Sequence, residues 1–322
     1  MVLAQRLHRV GGPEGFVFET VDPGQPGPGE VRVRHHAIGV NYIDTYQRTG
    51  LYPLAKLPAV LGMEGAGEVV ALGAGVHDLE IGDRIAYGTE LGGYAEERLI
   101  LANRVVKLPD AISYETAAAS MLRGMTVRYL FRETFAVGPE TTMLFHAAAG
   151  GIGLIACQWA RALGATMIGT VGSDEKADLA RRHGAAHVIN YRREDFVQRV
   201  MEITEGRGVD VVYDSIGKDT FPRSLACLKP KGLWVSFGNA SGPVPPFSLA
   251  ELKGSLFATR PSLMPYVATT DLLRANAADL FRMLASGAIV VPVHQRYPLK
   301  DVATAHRDLE ARATTGSTVL IP

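Results

Sequence analysis

The sequence predicts an α/β protein in which a doubly wound parallel sheet is joined to a second, β-rich domain. Three observations carry this. Residues 141–164 read as strand, small-residue turn and helix. Strands and helices go on alternating to about residue 259, the pattern of a parallel sheet with helical crossovers. Before residue 108 the chain shows short strands broken by Gly and Pro. A length of 322 residues suits about two domains.

In chain order, 16–21 and 31–40 are strands joined by the turn-rich Pro23-Gly-Gln-Pro-Gly-Pro-Gly29. Strands at 67–72, 84–87, 94–101 and 105–108 continue the β domain, with Gly82-Asp83 turning the chain. Ser113, followed by Glu115 and Thr116, resembles a helix cap and opens a helical stretch through 117–122 towards Phe131. The apolar run 142–146 reads as a buried parallel strand, and Ile152, Ile155, Ala156, Trp159 and Leu163 share one helical face that Gly164 ends. Between them, Ala148-x-Gly150-x-x-Gly153 is a dinucleotide fingerprint with Ala in the first Gly position. Residues without bulky side chains permit a tight turn and let the backbone approach a pyrophosphate. The helix N-terminus behind them offers free N–H groups and a partial positive charge.

Five further strands complete the sheet, at 166–171, 187–190, 209–213, 233–237 and 255–259. Helices at 174–182, 194–204 and near 221–228 separate them, stopped by Gly184, by Gly206 with Gly208, and opened by Pro222 in the first turn. Beyond Pro261 the alternation ends: 271–286 and 301–311 read as helices and 318–321 as a closing strand, a tail expected to rejoin the N-terminal domain.

Composition excludes several classes. Apolar residues make up 47% and charged residues 20%, so the chain can bury a substantial core. Lys plus Arg and Asp plus Glu balance at 33 each, unlike the basic footprint of a nucleic-acid or membrane-surface protein. Cys157 and Cys227, the only cysteines, each sit in an apolar pattern and read as small buried hydrophobes. There is no signal-like N-terminus and no apolar run of membrane-spanning length, so cytoplasm is the expected location.

Seven stretches are familiar as a set: Asn41-Tyr-Ile-Asp-Thr-Tyr46, Gly50-Leu-Tyr-Pro53, Gly62-Met-Glu-Gly-Ala-Gly67, Gly82-Asp-Arg84, His146-Ala-Ala-Ala-Gly-Gly-Ile-Gly153, Val212-Tyr-Asp-Ser-Ile-Gly217 and Val235-Ser-Phe-Gly-Asn239. They run nearly end to end and resemble the medium-chain dehydrogenase/reductase superfamily. The likeness is to its zinc-free quinone oxidoreductase branch, which includes zeta-crystallin and the bacterial NADPH:quinone oxidoreductases. The resemblance implies a GroES-like catalytic domain built from 1–123 and 263–322, a Rossmann domain over 124–262, and an active-site cleft where they meet. It also implies a homodimer through the Rossmann edge strand near 255–259.

Zinc alcohol dehydrogenases of the same superfamily place Cys where Asn41 stands and His where Met63 stands, and carry a four-Cys lobe for which this chain has no cysteines. The nine histidines include no pair at metal-ligand spacing, and His35-His36 would point to opposite faces of a strand. No metal is expected, and Glu64 is expected to form an ion pair or hydrogen bonds in the cleft floor. The acceptor must then take hydride readily, as quinones and α,β-unsaturated carbonyls do, with the protein chiefly aligning the partners. Asn41, Asp44, Tyr46 and Tyr52 match the family's Asn-x-x-Asp-x-Tyr and Gly-x-Tyr patterns and are the candidates for positioning and hydrogen bonding. The alternative for Asp44 is a helix cap, and for the tyrosines a plain cleft wall. Tyr46 or Tyr52 can supply a proton, although quinone reduction does not require an enzyme acid.

The loop Ala149, Gly150, Gly151, Ile152 and Gly153 is the expected pyrophosphate site. An NAD enzyme usually ends strand two with an acid that repels a 2′-phosphate. Here Gly172 and Ser173 leave room, Lys176 lies a helical turn on, and Tyr191 follows strand three, so NADPH is the expected cofactor. Asp174 is discordant and reads as a first-turn acid facing away. Thr126 is expected near the nicotinamide carboxamide. Ser215, Phe237, Gly238 and Asn239 stand at the carboxyl ends of strands, where ligands bind. Arg260 and Arg312 are candidates to reach cofactor or substrate, with a domain-bridging ion pair the alternative. Three functions stay open: an NADPH-dependent quinone reductase, an NADPH-dependent alkenal or enone double-bond reductase, and a catalytically silent nucleotide-binding or RNA-binding protein. Charge balance and the cleft residues weigh against the last.

Overall fold

The computed structural model describes residues 1–322, which divide into two units. One is Met1–Met125 with Leu263–Gly287 and Val291–Pro322; the other is Thr126–Ser262 with Ala288–Val290. The three-residue segment belongs with the second because Gln158 grips Val290 from both sides, accepting its N–H at 2.8 Å and donating to its carbonyl at 2.9 Å.

The first unit opens with β1 (Val2–Leu7), β2 (Phe16–Val21) and β3 (Glu30–Val40), then α1 (Tyr42–Thr49) and β4 (Ala59–Val60). β5 (Glu64–Leu72), β6 (Arg84–Tyr87), β7 (Glu97–Leu101) and β8 (Val106–Lys107) follow, then α2 (Tyr114–Ala118) and α3 (Met121–Tyr129). The second unit contains β9 (Thr142–Phe145), α4 (Gly151–Ala162), β10 (Thr166–Val171), α5 (Asp174–Arg182), β11 (His187–Asn190), α6 (Phe196–Ile203), β12 (Val209–Asp214), β13 (Leu228–Ser236) and β14 (Phe257–Thr259). The tail supplies α7 (Leu263–Tyr266), α8 (Thr270–Ala285), β15 (Val293–Pro298), α9 (Val302–Glu310) and β16 (Ser317–Ile321).

In the first unit a sheet ordered β15-β16-β3-β5-β6-β8, with β7 also on β3, stands beside a small sheet ordered β2-β1-β4. β16 runs antiparallel to β3 in the register Val40↔Thr318, so the tail completes the N-terminal sheet. Its apolar interior gathers Leu7, Ile38, Val40, Leu61, Tyr94, Val302 and Leu320, with a second cluster around Val31, Val33, Val69, Ile85 and Tyr87. The second unit is an all-parallel sheet ordered β11-β10-β9-β12-β13-β14. Strand order reverses between β9 and β12, the point where such sheets bind ligands. α4 anchors the unit by burying Leu154, Ile155 and Trp159, each worth about 1.5–3 kcal/mol on full burial.

The α/β reading and the parallel sheet hold. A helix near 221–228 does not form, and only Leu225–Cys227 make a single 3₁₀ turn. The Asp214 carboxylate takes the N–H groups of Ile216 and Gly217 and the hydroxyls of Thr220 and Ser224, holding the chain in turns that compete with a helix. β1, β4, α7 and β15 lie outside the elements expected from sequence, and α1 is the short helix of the capping alternative for Asp44. No helix is long and apolar enough to cross a membrane.

Candidate functional site

In the second unit, β9 hands the chain to a tight bend. Ala147 takes a left-handed φ of 57°, Ala148 N–H bonds to the Thr170 carbonyl at 3.0 Å, and Gly150 N–H closes on Ala147 O at 3.0 Å. α4 begins at Gly151 with no side-chain cap, so the first-turn N–H groups of Gly151, Ile152 and Gly153 point out of the helix end without an intrahelical acceptor. Together with the helix dipole they suit a pyrophosphate. A Cβ on Gly153 would stand 2.4 Å from Ala147 O, so this glycine sets how closely helix and loop approach. Ala148 is tolerated in the first fingerprint position because Gly169 on β10 faces it; a Cβ there would lie 2.5 Å from the Ala148 Cβ.

The corner after β10 is built around a second absent side chain. A Cβ on Gly172 would meet the Tyr191 hydroxyl at 2.7 Å and Arg192 Nε at 3.7 Å. Tyr191 and Arg192 therefore close on the space that Gly172 leaves beside the end of β10. Ser173 caps α5 by accepting Lys176 N–H at 3.3 Å, which fixes Lys176 in the first turn. Asp174 is occupied: its carboxylate accepts from Asn190 Nδ2 at 2.8 Å and pairs with Arg193 at 2.6 Å. Arg192 and Arg193, two cations directly after Tyr191 and just past the end of β11, are not among the residues singled out from sequence.

The loops after β12 and β13 are tied together. Ser215 O accepts Ala240 N–H at 3.1 Å, and Phe237 N–H bonds to Asp214 O at 2.8 Å. A Cβ on Gly238 would lie 2.5 Å from Ser215 O, while the Phe237 ring tilts against Phe145 at 5.8 Å. Arg260 donates to Ser236 O at 3.1 Å. With the Asn239 amide oriented to satisfy both its ends, Arg260 also donates to that side chain at 3.1 Å. Thr126 is buried on α3. Arg312 belongs to the first unit, where its charge lies beside the Tyr42 hydroxyl at α1 and opposes the upward push of burial on it.

The other candidates sit around α1. Asp44 is fully buried: it accepts the Asn41 N–H at 2.8 Å, capping the helix, and the Tyr94 hydroxyl at 2.7 Å. Burial pushes its pKa up to about 6 against those hydrogen bonds and the charge of Arg123. Asn41 donates through Nδ2 to Glu64 Oε2 at 2.7 Å, and Leu122 N–H donates to Glu64 Oε1 at 2.8 Å. Burial raises Glu64 to about 7, with Arg123 and these donors opposing. Gly39 makes room for this carboxylate, since a Cβ there would stand 2.4 Å from Oε2. Tyr46 and Tyr52 pack edge to face at 5.2 Å, and Tyr42 tilts against Tyr46 at 5.7 Å, forming a half-exposed aromatic row. Tyr42 was missed as a candidate, although its i, i+4 spacing to Tyr46 was legible.

Zinc does not fit these residues. Asn41 presents a carboxamide already tethered to Glu64, and Met63 presents a thioether that takes a contact from Gln47 Nε2 at 3.4 Å. No group of three His, Cys, Asp or Glu side chains gathers to hold a metal ion.

Two family models match the chain: an alcohol dehydrogenase GroES-like domain over 27–110 and a zinc-binding dehydrogenase over 151–280. The quinone oxidoreductase of Pseudomonas aeruginosa is 53% identical, with 97% of each chain aligned. A 2-haloacrylate reductase from Burkholderia is 45% identical, covering 100% of this chain and 99% of the relative. The solved structure of the Escherichia coli quinone oxidoreductase complexed with NADPH superposes with a TM-score of 0.98 at 52% identity, covering 99% of this chain and all of that one. Sequence and fold agree: the chain belongs to the medium-chain dehydrogenase/reductase superfamily, in its quinone oxidoreductase branch.

Proposed function

We propose that this protein is an NADPH:quinone oxidoreductase that works without a metal ion. The observation that carries the cofactor choice is the corner after β10, where Gly172 leaves room, Tyr191 and Arg192 close in, and Arg193 neutralises Asp174. Relatives named quinone oxidoreductase at 52–55% identity support the acceptor class. When bound, NADPH supplies the hydride. The α4 N-terminus holds the pyrophosphate through N–H groups, and Ser173, Lys176, Tyr191 and Arg192 hold the 2′-phosphate.

Asn41, with one N–H held by Glu64, keeps its second N–H for an acceptor oxygen. The Tyr42, Tyr46 and Tyr52 rings, tilted and edge to face with one another, offer an aromatic wall for a ring-shaped acceptor. Asp44 acts through Asn41 and Tyr94 rather than on substrate, since it is fully buried. A homodimer through β14 goes with this reading: β14 is the sheet edge, and Phe257 on it is 61% exposed.

Steady-state NADPH oxidation with benzoquinones, naphthoquinones, alkenals and haloacrylates tests the function. Quinone turnover should exceed that of the others in kcat/KM. The 2-haloacrylate reductase similarity favours one second reading, an enone reductase, and a higher kcat/KM with alkenals or haloacrylates would install it. No oxidation with any acceptor would remove both.

A further inference from the structure

Beneath the carboxyl edge of the parallel sheet lies a buried polar chain that no ligand can touch. Thr170, His146, Asp214 and Ser224 are each 2% exposed or less. His146 Nδ1 meets Thr170 Oγ1 at 2.9 Å and Nε2 meets Ser224 Oγ at 3.0 Å, while Ser224 Oγ donates to Asp214 Oδ2 at 2.9 Å.

Proton counting fixes the direction of every bond. Each remaining partner of Asp214 is a donor: the N–H groups of Ile216 and Gly217, the Thr220 hydroxyl and, at 3.4 Å, Trp234 Nε1. Asp214 is therefore a carboxylate. Burial alone would raise its pKa, but these donors hold it below the usual range. Ser224 has one hydroxyl proton, which goes to the Asp214 carboxylate at 2.9 Å in preference to the Thr220 carbonyl at 3.3 Å, so Ser224 Oγ accepts from His146 Nε2–H. Burial keeps His146 neutral with that single N–H, leaving Nδ1 to accept from Thr170. The chain runs Thr170 to His146 to Ser224 to Asp214, with one tautomer allowed.

We propose that this chain is a positioning brace for the dinucleotide, setting the relative placement of the loops after β9, β10, β12 and β13. His146 is the residue from which the chain swings into the left-handed bend at Ala147, so clamping its ring fixes where the pyrophosphate loop starts. Thr170 serves that loop twice, through its hydroxyl to His146 and its carbonyl to Ala148 N–H. Asp214 pins Ile216 and Gly217, and Ser215 O and Ile216 O in turn pin Ala240 and Ser241 in the loop carrying Gly238 and Asn239. A shift at one member passes to the next because each has only one arrangement of protons that satisfies all of them.

This inference rests on the NADPH reading above. Thr170→Val is nearly isosteric and deletes only the hydroxyl, Thr170→Ser restores it, and Ser224→Ala cuts the chain in the middle. Val209→Ala, a cavity at the amino end of β12 far along the strand from the loops, controls for general destabilisation. The measurements are NADPH Kd by fluorescence titration, together with KM and kcat. Thr170→Val and Ser224→Ala should each weaken NADPH about tenfold in Kd and KM, the effect of losing one buried hydrogen bond. Their kcat at saturating NADPH should fall less than threefold. Thr170→Ser should bind within twofold of the parent, and Val209→Ala should bind as the parent despite a lowered Tm. Parent-like Kd values in both hydroxyl deletions, or an equal loss in Val209→Ala, would overturn the brace. A parent protein that binds no NADPH would instead overturn the functional reading.

Discussion

Glu64 makes the pH dependence of stability an informative measurement. Its carboxyl is fully buried, accepts two N–H groups and is raised by burial to about 7, against 4.5 when unfolded. Between those values the folded state holds a proton that the unfolded state has released. The contribution to stability is thus fully present below about pH 4.5 and is lost as pH rises through 7. At about 1.4 kcal/mol per unit, the loss between pH 5 and 8 is about 2–3 kcal/mol. Glu64→Gln cannot titrate. It pays a fixed cost, because its amide sets a donor against Asn41 Nδ2. Urea unfolding of parent and Glu64→Gln at pH 5, 6, 7 and 8 should show the parent's advantage shrinking by that amount across the series. A flat difference would mean that Arg123 and the two N–H donors fully offset burial, and a growing one would mean a depressed pKa; either refutes the reasoning.

Four other outcomes are expected. Tyr94→Phe removes the hydroxyl that serves Asp44 and His306 Nε2, leaving buried polar atoms unmatched, and should cost about 2 kcal/mol in chemical denaturation. Lys176→Ala and Arg192→Ala should each cut the NADPH-over-NADH preference in kcat/KM about tenfold by removing a charge-assisted contact to the 2′-phosphate. Gly153→Ala must push α4 away from Ala147 O. It should destabilise by about 1–3 kcal/mol and weaken NADPH binding more than tenfold in titration. Phe257→Asp should shift the mass measured by light scattering from dimer to monomer without lowering Tm of the monomer fold; an unchanged dimer would place the interface elsewhere.

The parts of the molecule legible from sequence are those whose causes are local. The β9–α4 unit announces itself because an apolar strand, three small residues and a helical apolar face all lie within one stretch. β1 was not legible because Gln5 interrupts the alternation. Its side chain is buried, donating to the carbonyls of Leu299 and Lys300, partners nearly the whole chain away. α1 was legible only as the helix-cap alternative for Asp44, because Tyr, Ile and Thr are mediocre helix formers; it stands on the Asn41–Asp44 cap and on Gly50, whose φ of 82° ends it. The same distance effect governs the site. Asp44 reads alike as catalyst or cap until Tyr94 is seen to occupy it, and Arg192 gains a purpose only where β11 lies beside β10. The failed helix at 221–228 shows the reverse, a polar centre at Asp214 overriding a plausible local pattern.

The pairing of β16 with β3 has a consequence for biosynthesis. The second unit is nearly contiguous and has all six strands of its sheet once Thr259 has left the ribosome. The first unit must wait, because Val40 has no strand partner until Thr318 arrives, and until then one border of its main sheet stays open. Nascent chains halted before Ser317 should therefore expose the β3 edge to chaperones and proteases while already carrying a finished nucleotide fold.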